Sequence, residues 1–591
     1  MTQLGQRPQQ PTAPPTATAG PSGGTPAVRE RRILGGGNAV RNIVIFLALL
    51  VIGYLVLTPI AYLLGATFFG DGSFSLDSFA RAYGTTGLDD MVLNSIVFTV
   101  ASTALAMVLG TALAHVTVRT NVPFKSLIVA SSLVPLIVPG LLYTISWVML
   151  ASPSIGLLNQ PTQQLWGVPL IDIFSMGGMI WVEGTHSAPM VYLFMYVAFR
   201  AMDPSLEESA LVSGASRTRM FFTVTLPLIR PALAGAALLV AVKILGSFEV
   251  PTLLGVPSGI FVFVSRIYYV MQDFPYDTAA AGALSVGLIL FALLGTWLLA
   301  KFRGDSKEFA TVTGKGFRPN VIDLGRFRPV VAAGVAVYLF ATVALPLLIL
   351  AFNSLLPFYR RFSLDALGDF TLDNYVDLLQ NPIFLQSVGN SVLLAVGTAT
   401  LVMVLVAIAA WVVLRSRVRG RSLVDHLTFL PMVVPGLVIG IAVSFVYLRN
   451  PLPFAVYGTL LILLIAYATN FMPYGMRYAV SSLEQVSVEL EESAQVSGAT
   501  WWQTARHVLI PLVFPGLMAG WIYLLIISVR ELGSSILLYS PGNEVIAVLI
   551  FQLYEEGELV TISALGIVLV AVLTIIVGVV YRFGSRVGIR L

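Results

Sequence analysis

The stretch IVIFLALLVIGYLVLTPIAYLLGATFF, residues 43–69, decides the fold class of this 591-residue chain. It contains no charged residue, and about 20 consecutive apolar residues are enough to cross the hydrocarbon core of a bilayer. Similar runs recur from there to the C-terminus, and 57% of the chain is hydrophobic while only 11% is charged. Soluble proteins carry about 25% charged residues, so the composition excludes a series of globular domains. The sequence therefore predicts a polytopic membrane protein.

The apolar runs fall into two sets of six. The first set covers about 43–69, 91–118, 126–150, 177–199, 231–250 and 279–302. The second set covers about 329–352, 384–414, 423–447, 457–478, 513–529 and 559–581. Most of these runs are close to the length that a transmembrane helix needs. We therefore predict an all-α membrane protein with about 12 transmembrane helices.

Lys and Arg residues concentrate in alternate connecting segments, which predicts the orientation of the chain. If the N-terminus lies in the cytoplasm, the inner segments hold 27 of these residues and the outer segments hold 6, while Lys243 lies inside a predicted span. We therefore expect both termini in the cytoplasm, and the protein in the plasma or inner membrane as a multi-pass protein.

An internal duplication relates the two sets of spans. The segment LVPLIVPGL at 133–141 matches LPMVVPGL at 430–437 at an offset of 296 residues. The same offset relates the polar pairs Asn94-Ser95 and Asn390-Ser391. Further along, EESALVSGA at 207–215 answers EESAQVSGA at 491–499 at an offset of 284. The difference of 12 predicts extra residues in the first half, in the loop around 151–175. Since each half has an even number of spans, the two repeats run parallel.

The duplication and the composition divide the chain into four segments. Residues 1–40 are rich in Pro, Thr, Gly and Ala, and we expect a disordered cytoplasmic tail. The first half is 41–302, a basic cytoplasmic linker is 303–328, and the second half is 329–591.

The repeated segments that begin with Glu-Glu-Ser, at 207–215 and 491–499, lie in predicted cytoplasmic connections between the fourth and fifth spans of each half. Asp203 and Ser487 can cap a helix, and the acidic residues that follow favour its first turns. Gly214 and Gly498 permit a turn into a second short helix. Such a projection can dock in a groove of a cytoplasmic partner. A plain amphipathic connector is the alternative, and the occurrence of two copies in register favours docking.

The same segments end in a proline that precedes the next span. We expect Pro227 and Pro511 to interrupt the chain there, because proline lacks the backbone N–H that a helix needs.

The first segment has Glu-Ser-Ala, then Gly after three residues, then Val-x-Leu-Pro after nine more. This order resembles the EAA loop of permeases from binding-protein-dependent ABC importers. The second copy keeps the spacing with Ile510 before the proline, and Ser209 and Ser493 stand where the family has alanine. The linker sequence ATVTGKG and the segment RELGSSILLYSPGNEV are similar to fused two-in-one permeases of the iron(III) and thiamine importer group.

This resemblance implies a type I importer whose loops seat in two copies of a cytoplasmic ATP-binding subunit. Glu208 and Glu492 would supply polar docking contacts, while Ala210 and Ala494 would permit close approach. The full set of implied coupling residues is Glu207, Glu208, Ser209, Ala210, Gly214, Pro227, Glu491, Glu492, Ser493, Ala494, Gly498 and Pro511. ATP and Mg²⁺ would bind to the partner, so no cofactor is expected in this chain.

The resemblance also implies an extracellular or periplasmic solute-binding protein as a second partner. The expected substrate is iron(III) or another small solute. Thiamine, a phosphonate, a polyamine and a carboxylate are alternatives within the same class of importer.

The chain itself shows no sequence signature of an enzyme. Lys315 follows Gly314, but the earlier glycine of a P-loop and the following Ser or Thr are missing, so we expect the ATPase to be a separate protein. The chain has no cysteine, and its four histidines are scattered, so a thiol enzyme or a helical zinc site is excluded. A net charge of +4 gives no reason to expect nucleic acid as a partner.

Ionisable residues at membrane depth are costly and often mark a transport path. The candidates for the path are Glu183, His186, Glu249, Arg530 and Glu531. Glu249 and Glu531 occupy near-equivalent places in the two halves, at an offset of 282. The alternatives are salt bridges inside the protein or exposure to water in outer loops. For Lys243 we expect snorkelling or an internal pair.

A secondary transporter with duplicated halves is the alternative functional class. That class needs ion-coupling carboxylates well inside the spans, and Glu183 is the only acidic residue so placed. A secondary transporter does not need two cytoplasmic docking loops, so the two loops favour the importer.

Overall fold

The computed structural model describes residues 37–69, 72–84, 87–274, 276–302, 321–416, 420–448 and 454–584. Within these ranges the chain is helical, and its only strand-like pairing is one isolated bridge between Thr120 and Ile322. The predicted all-α fold is confirmed. Residues 1–36 of the predicted tail and 303–320 of the predicted linker lie outside the described residues.

The first half contains twelve described α-helices. They are α1 Gly37–Phe68, α2 Asp77–Tyr83, α3 Leu88–Arg119, α4 Lys125–Ile137, α5 Gly140–Ala151, α6 Gln160–Trp166, α7 Met176–Ala201, α8 Pro204–Val212, α9 Arg217–Met220, α10 Leu226–Leu245, α11 Phe263–Gln272 and α12 Thr278–Phe302.

The second half repeats this order in the part of the chain that the structure describes. Its helices are α13 Arg328–Leu339, α14 Leu345–Ser354, α15 Asp373–Gln380, α16 Pro382–Arg415, α17 Arg421–Phe429, α18 Gly436–Leu448, α19 Leu460–Glu484, α20 Val488–Val496, α21 Trp501–Thr504, α22 Ile510–Val529, α23 Ser535–Leu538, α24 Ile546–Glu555 and α25 Leu559–Gly584.

Eight helical stretches of the described residues are long and apolar enough to cross a membrane. They are Arg41–Phe68, Leu88–Arg119, Arg217–Leu245, Thr278–Leu298, Gly325–Ser354, Pro382–Arg415, Trp501–Val529 and Leu559–Gly578. Three bent helix pairs raise the number to as many as 11. The predicted spans 177–199 and 457–478 form α7 and α19, which are not among the eight.

The predicted spans 126–150 and 423–447 are each divided by a sharp bend. The chain turns by 101° between α4 and α5, and by 108° between the stretch Arg421–Val433 and α18. Pro139 and Pro435 stand at these breaks, where they remove a backbone donor and favour an extended conformation of the preceding residue. A third bend of 79° separates Pro251–Ser258 from α11.

The expected interruptions at Pro227 and Pro511 are wrong. Each proline lies at the start of α10 or α22, inside a continuous helical stretch. One π-turn precedes each of them, at Phe221–Thr225 and Ala505–Leu509. A π-turn widens the helix by one residue, so the missing proline N–H can be accommodated without a break.

The first membrane span of each half packs against the other half through α1 or α14. α1 contacts α18 as well as α12, and α14 contacts α5 as well as α25. Between α1 and α18, the hydroxyls of Tyr54 and Tyr447 lie 2.9 Å apart. Between α1 and α19, the Thr469 hydroxyl donates to the Leu55 carbonyl at 3.0 Å. The two halves are therefore interlocked.

The serine of each duplicated Asn-Ser pair holds the start of a short helix, α11 in the first half and α24 in the second. Ser95 accepts a hydrogen bond from the first backbone N–H of α11, at Phe263, at 3.0 Å. Ser391 accepts one from the first N–H of α24, at Ile546, at 2.8 Å. The repeat that the sequence shows at these positions thus reflects the same helix-end contact in both halves.

The extra residues of the first half lie where the offsets predict them, between α5 and α7. Asn159 organises this loop: its amide nitrogen donates to the carbonyls of Ala151, Ser152 and Ile171. Its amide oxygen accepts from the N–H groups of Leu170 and Ile171.

Candidate functional site

The first loop has the helix–turn–helix form that its sequence predicts. The Asp203 carboxylate accepts a hydrogen bond from the Ser205 N–H at 2.9 Å and caps α8. Gly214 follows with φ +87°, a left-handed conformation that favours glycine. Ser216 then caps α9, a contact that the sequence analysis did not identify.

The second loop repeats this geometry with one difference. Gly498 has φ +86°, and Thr500 caps α21 through a capping box with Gln503. The expected side-chain cap from Ser487 is not formed, and its hydroxyl donates to the Glu489 carboxylate. This hydrogen bond holds the pKa of the exposed Glu489 carboxyl below its usual value.

The outer surfaces of α8 and α20 match each other. Glu208 and Ser209 are exposed in the first loop, as are Glu492 and Ser493 in the second. The two predicted close-approach alanines, Ala210 and Ala494, are half-buried.

An apolar side chain at the end of each loop helix extends this surface. Val212 is 89% exposed and Val496 is 88% exposed, at the offset of 284. Both loops therefore present a carboxylate, a hydroxyl and a valine in the same order.

Two of the predicted coupling carboxylates point inward instead. Glu207 is buried, with Oε2 lying 3.3 Å from Nη1 of Arg119, the last residue of α3. Glu491 is also buried, with Oε1 lying 2.9 Å from Nε of Arg415, the last residue of α16. These two side chains cannot contact a partner directly. Of the predicted coupling carboxylates, only Glu208 and Glu492 are exposed and available for direct docking.

The described end of the linker lies beside the first loop. The Asn121 amide donates to the Asp323 carboxylate at 2.6 Å, and Arg217 of α9 donates to the Asp323 carbonyl at 3.4 Å. Hydrogen bonds from the Gly325 N–H and from Asn121 hold the pKa of the Asp323 carboxyl below its usual value.

The predicted path residues gather around the bends. In the first half, a Cβ at Gly140 would lie 3.4 Å from the His186 ring and 3.8 Å from the Glu249 carboxyl carbon. Because Gly140 has no side chain, the start of α5 can lie close to both of these residues.

The second half builds the same arrangement. A Cβ at Gly436 would lie 2.9 Å from Oε1 of Glu531 and 3.2 Å from the Asn470 amide nitrogen. Gly436 is the repeat partner of Gly140, and Asn470 takes the place of His186 at the offset of 284. Glu249 and Glu531 are both half-buried, so they are not freely exposed loop residues.

Glu183 is buried in a separate set of hydrogen bonds. Its carboxylate accepts from Lys243 at 3.3 Å, from Ser187 at 3.0 Å and from Ser247 at 2.7 Å. Lys243 therefore forms the expected internal pair, and Glu183 is held by α7 and α10 together.

The bend between α4 and α5 leaves carbonyl oxygens that no helical N–H reaches. The guanidinium of Arg530 donates to the carbonyl of Leu136, and Nε2 of His186 lies 3.3 Å from the carbonyl of Val138. Arg530 thus crosses from the second half to the first. Within the described ranges, no group of three or more His, Asp and Glu side chains could hold a metal ion.

Sequence reasoning missed several of these contacts. Arg119 and Arg415 share the offset of 296 that the Pro-Gly motifs show, and this signal was available. The link from Arg530 to a carbonyl of the other half had no such signal.

The chain matches one family model twice, at residues 106–304 and 404–586, one match in each half. The chain belongs to the family of binding-protein-dependent transport system inner membrane components. This confirms the predicted fused permease of an ABC importer, a multi-pass protein of the cell membrane.

The permease is similar to a curated ferric transport system permease protein of Actinobacillus pleuropneumoniae, with 24% identity over 90% of this chain and 76% of that protein. It is also similar to a putative 2-aminoethylphosphonate transport system permease protein of Salmonella typhimurium, with 28% identity over 37% of this chain and 82% of that protein. A solved structure of a bacterial ABC transporter for alginate import aligns with a TM-score of 0.38 and 20% identity, covering 46% of this chain and 98% of that chain.

Proposed function

We propose that this permease couples solute import to a separate ATPase through α8 and α20. Each loop helix would seat in one of two cytoplasmic ATP-binding subunits, which carry ATP and Mg²⁺. A solute-binding protein would deliver the solute on the opposite face. Movement of the two ATPase subunits would then open and close a path between the halves.

The observation that carries this proposal is the repetition of one surface at two sites. Val212 and Val496 are almost fully exposed next to an exposed carboxylate, although a loop that merely joins two helices has no need of either. The same residue types stand at the same positions in both loops, which is what two copies of one partner require.

The orientation follows from the charges. With 27 Lys and Arg residues in the inner segments against 6 in the outer ones, both loops and both termini face the cytoplasm. ATP is available on that side, so the orientation agrees with docking of the ATPase there.

The proposed path runs along the polar side chains at the bends. Glu249 and Glu531 approach it from the two halves, and Arg530 adds a positive charge. His186 and Glu183 lie on the first-half side. Four of these groups, Glu183, His186, Arg530 and Glu531, are hydrogen-bonded to the protein, which suits a path that a solute crosses without being held tightly.

We propose iron(III) as the transported ion. The ferric permeases among the relatives support this, and carboxylate oxygens suit a hard cation. The phosphonate permease relative supports a second candidate, an anionic solute that Arg530 would attract. Thiamine, a polyamine or a carboxylate fits the same architecture with less support.

Charge reversal in the loops tests the docking proposal. The variants are Glu208→Lys and Glu492→Lys, co-expressed with the cognate ATP-binding subunit. Asp377→Lys is the matched control, since Asp377 is an exposed residue on α15, at the other end of the 34-residue α16. We expect each loop variant to lower recovery of the ATPase in co-purification, and the double variant to abolish it, while the control leaves it unchanged.

Full recovery of the ATPase with the double loop variant would contradict the proposal. Insertion is checked by the yield of monodisperse permease in detergent, so that loss of the partner can be separated from loss of the permease.

A further inference from the structure

A buried ion pair joins each loop helix to the preceding long helix of its half. Arg119 and Arg415 end α3 and α16, and they are related by the offset of 296. Their partners Glu207 and Glu491 are related by the offset of 284. The same two residue types are thus paired twice, across about 80 residues of chain in each half.

The second carboxylate oxygen of each glutamate is also used. Oε1 of Glu207 accepts from the Thr225 hydroxyl at 2.6 Å, in the π-turn that precedes α10. Oε2 of Glu491 accepts from the Trp411 indole N–H at 3.4 Å, one turn before Arg415 on α16. Each carboxylate therefore has two anchors on the membrane side of its loop helix.

The helices that carry the arginines are central to their halves. α3 packs along α7 and α10, and α16 packs along α19 and α22. These neighbours hold polar side chains at the bends: Glu183 and His186 of the proposed path lie on α7, and Asn470, the repeat partner of His186, lies on α19. A displacement passed to α3 or α16 therefore reaches the path directly.

We infer that Arg119 and Arg415 are positioning residues that carry the movement of the loop helices into the membrane-spanning helices. This inference rests on the proposed coupling function. Glu207 and Glu208 are adjacent on α8, so their side chains point about 100° apart. Glu208 thus faces the partner, while Glu207 pairs with Arg119 inside the permease. On α20, Glu492 and Glu491 take the same two positions.

An ion pair suits this task because it resists separation. When one partner of a buried pair is removed, the other is left as an uncompensated buried charge, which is strongly unfavourable. A loop helix that is pulled by its partner therefore takes the arginine with it, and does not slide over an apolar surface.

The arginines of the two ion pairs differ in the further hydrogen bonds that they donate. Arg415 also donates to the carbonyls of Leu483 and Val486. Among the described residues, no nitrogen of the Arg119 guanidinium donates a well-oriented hydrogen bond, so its ion pair with Glu207 is its main stabilising contact. We therefore expect loss of the Glu207 charge to have the larger effect.

The test measures solute taken up per ATP hydrolysed, in proteoliposomes that hold the permease with its ATPase and binding protein. For Glu207→Gln we expect this ratio to fall about tenfold while ATPase association and hydrolysis persist. Glu491→Gln should lower the ratio by a smaller factor. Glu484→Gln is the matched control, because Glu484 is an exposed carboxylate at the end of α19, and it should leave the ratio unchanged.

A double variant guards against simple misfolding. Arg119→Met with Glu207→Met keeps the site filled without a charge, and buried pairs often tolerate such apolar replacement. We expect this variant to fold and to bind the ATPase, with a ratio as low as that of Glu207→Gln. A wild-type ratio in the double variant would overturn the inference, because packing alone would then carry the movement.

Loss of ATPase binding separates the two proposals. If Glu207→Gln and the double variant both fail to bind the ATPase, Glu207 acts in docking, and the inference is wrong while the proposed function stands. If the wild-type permease itself does not bind the ATPase, the proposed function is wrong.

Discussion

The guanidinium of Arg530 donates a hydrogen bond to the main-chain carbonyl of Leu136, so the second half holds the bend of the first half with a charged group. The carbonyl is available because the chain breaks at Pro139, where no helical N–H can reach it. Arg530 is therefore a structural link between the halves that also carries a positive charge.

Replacement of Arg530 should impair transport without affecting the loops. Arg530→Met removes the donor to Leu136 and the positive charge, while Arg530→Lys keeps the charge. We expect uptake to be nearly lost in the first variant and partly retained in the second, with normal ATPase recovery in both. Arg361→Met, in an outer segment, is the control. Wild-type uptake by Arg530→Met would show that neither the contact nor the charge is needed.

Neutral replacement of the two path glutamates tests their charge. Glu249→Gln and Glu531→Gln keep the shape of the side chains at Gly140 and Gly436, so a loss of uptake can be attributed to electrostatics. We expect uptake to fall in each single variant and further in the double variant, while ATPase association stays normal. Glu555→Gln, at an exposed position on α24, should behave as wild type. If the double variant transports at the wild-type rate, the path lies elsewhere, around Glu183 and His186.

The turn glycines should be necessary for the loops to reach the ATPase. Proline holds φ near −65° and alanine is disfavoured at positive φ by about 1–2 kcal/mol, so Gly214→Pro and Gly498→Pro should disrupt the turns. A Cβ at either position would meet no atom within 4 Å, so the variants test the backbone and not side-chain packing. They remove the positive φ and also the N–H groups of the two glycines, which donate to the carbonyls of Leu211 and Gln495.

The expected result for these proline variants is weaker co-purification of the ATPase with normal membrane insertion. Gly235→Ala, inside α10 with similar free space and no positive φ, is the matched control. Unchanged association and transport in both proline variants would reduce the loops to simple connectors.

The contact between Asn121 and Asp323 should protect the end of the linker from protease. Asn121→Ala removes the 2.6 Å hydrogen bond, and we expect faster tryptic cleavage at the exposed Arg326. Because hydrogen bonds lower the pKa of Asp323, this carboxyl stays ionised near neutral pH and its contribution is lost only in acidic solution. Protection of the wild type should therefore be equal at pH 7 and pH 8.5, conditions in which trypsin is active.

A control variant for the linker contact is Asn381→Ala, which removes a helix cap at the start of α16. It should leave cleavage at Arg326 at the wild-type rate. Equal cleavage of Asn121→Ala and the wild type would show that the contact does not restrain the linker.

Much of the fold could be predicted because hydrophobicity and repetition act along the chain. The long spans and the loop helices follow from local composition, from glycine at a turn and from the motif in two copies. The bends could not be predicted in this way. Pro189 and Pro473 lie inside continuous helices, whereas Pro139 and Pro435 stand at breaks, and only tertiary packing separates the two cases.

The contacts of the site depend on residues that are far apart in sequence. Glu183 meets Lys243 across two helices, and Glu207 turns inward because Arg119 lies beneath it. A motif identifies the residues of a loop but not the direction in which each side chain points. This is why the sequence placed Glu207 with Glu208 in one docking group, although the structure gives the two glutamates different surroundings.

The central claim is that import by this permease is driven by a separate ATPase through its two loops. The most direct measurement is uptake of the solute into proteoliposomes containing the permease and binding protein, with and without the ATP-binding subunit and ATP. We predict no ATP hydrolysis by the permease alone, and uptake only when the ATPase and ATP are both present. Uptake that proceeds without the ATPase and follows an imposed ion gradient would contradict the account and identify a secondary transporter.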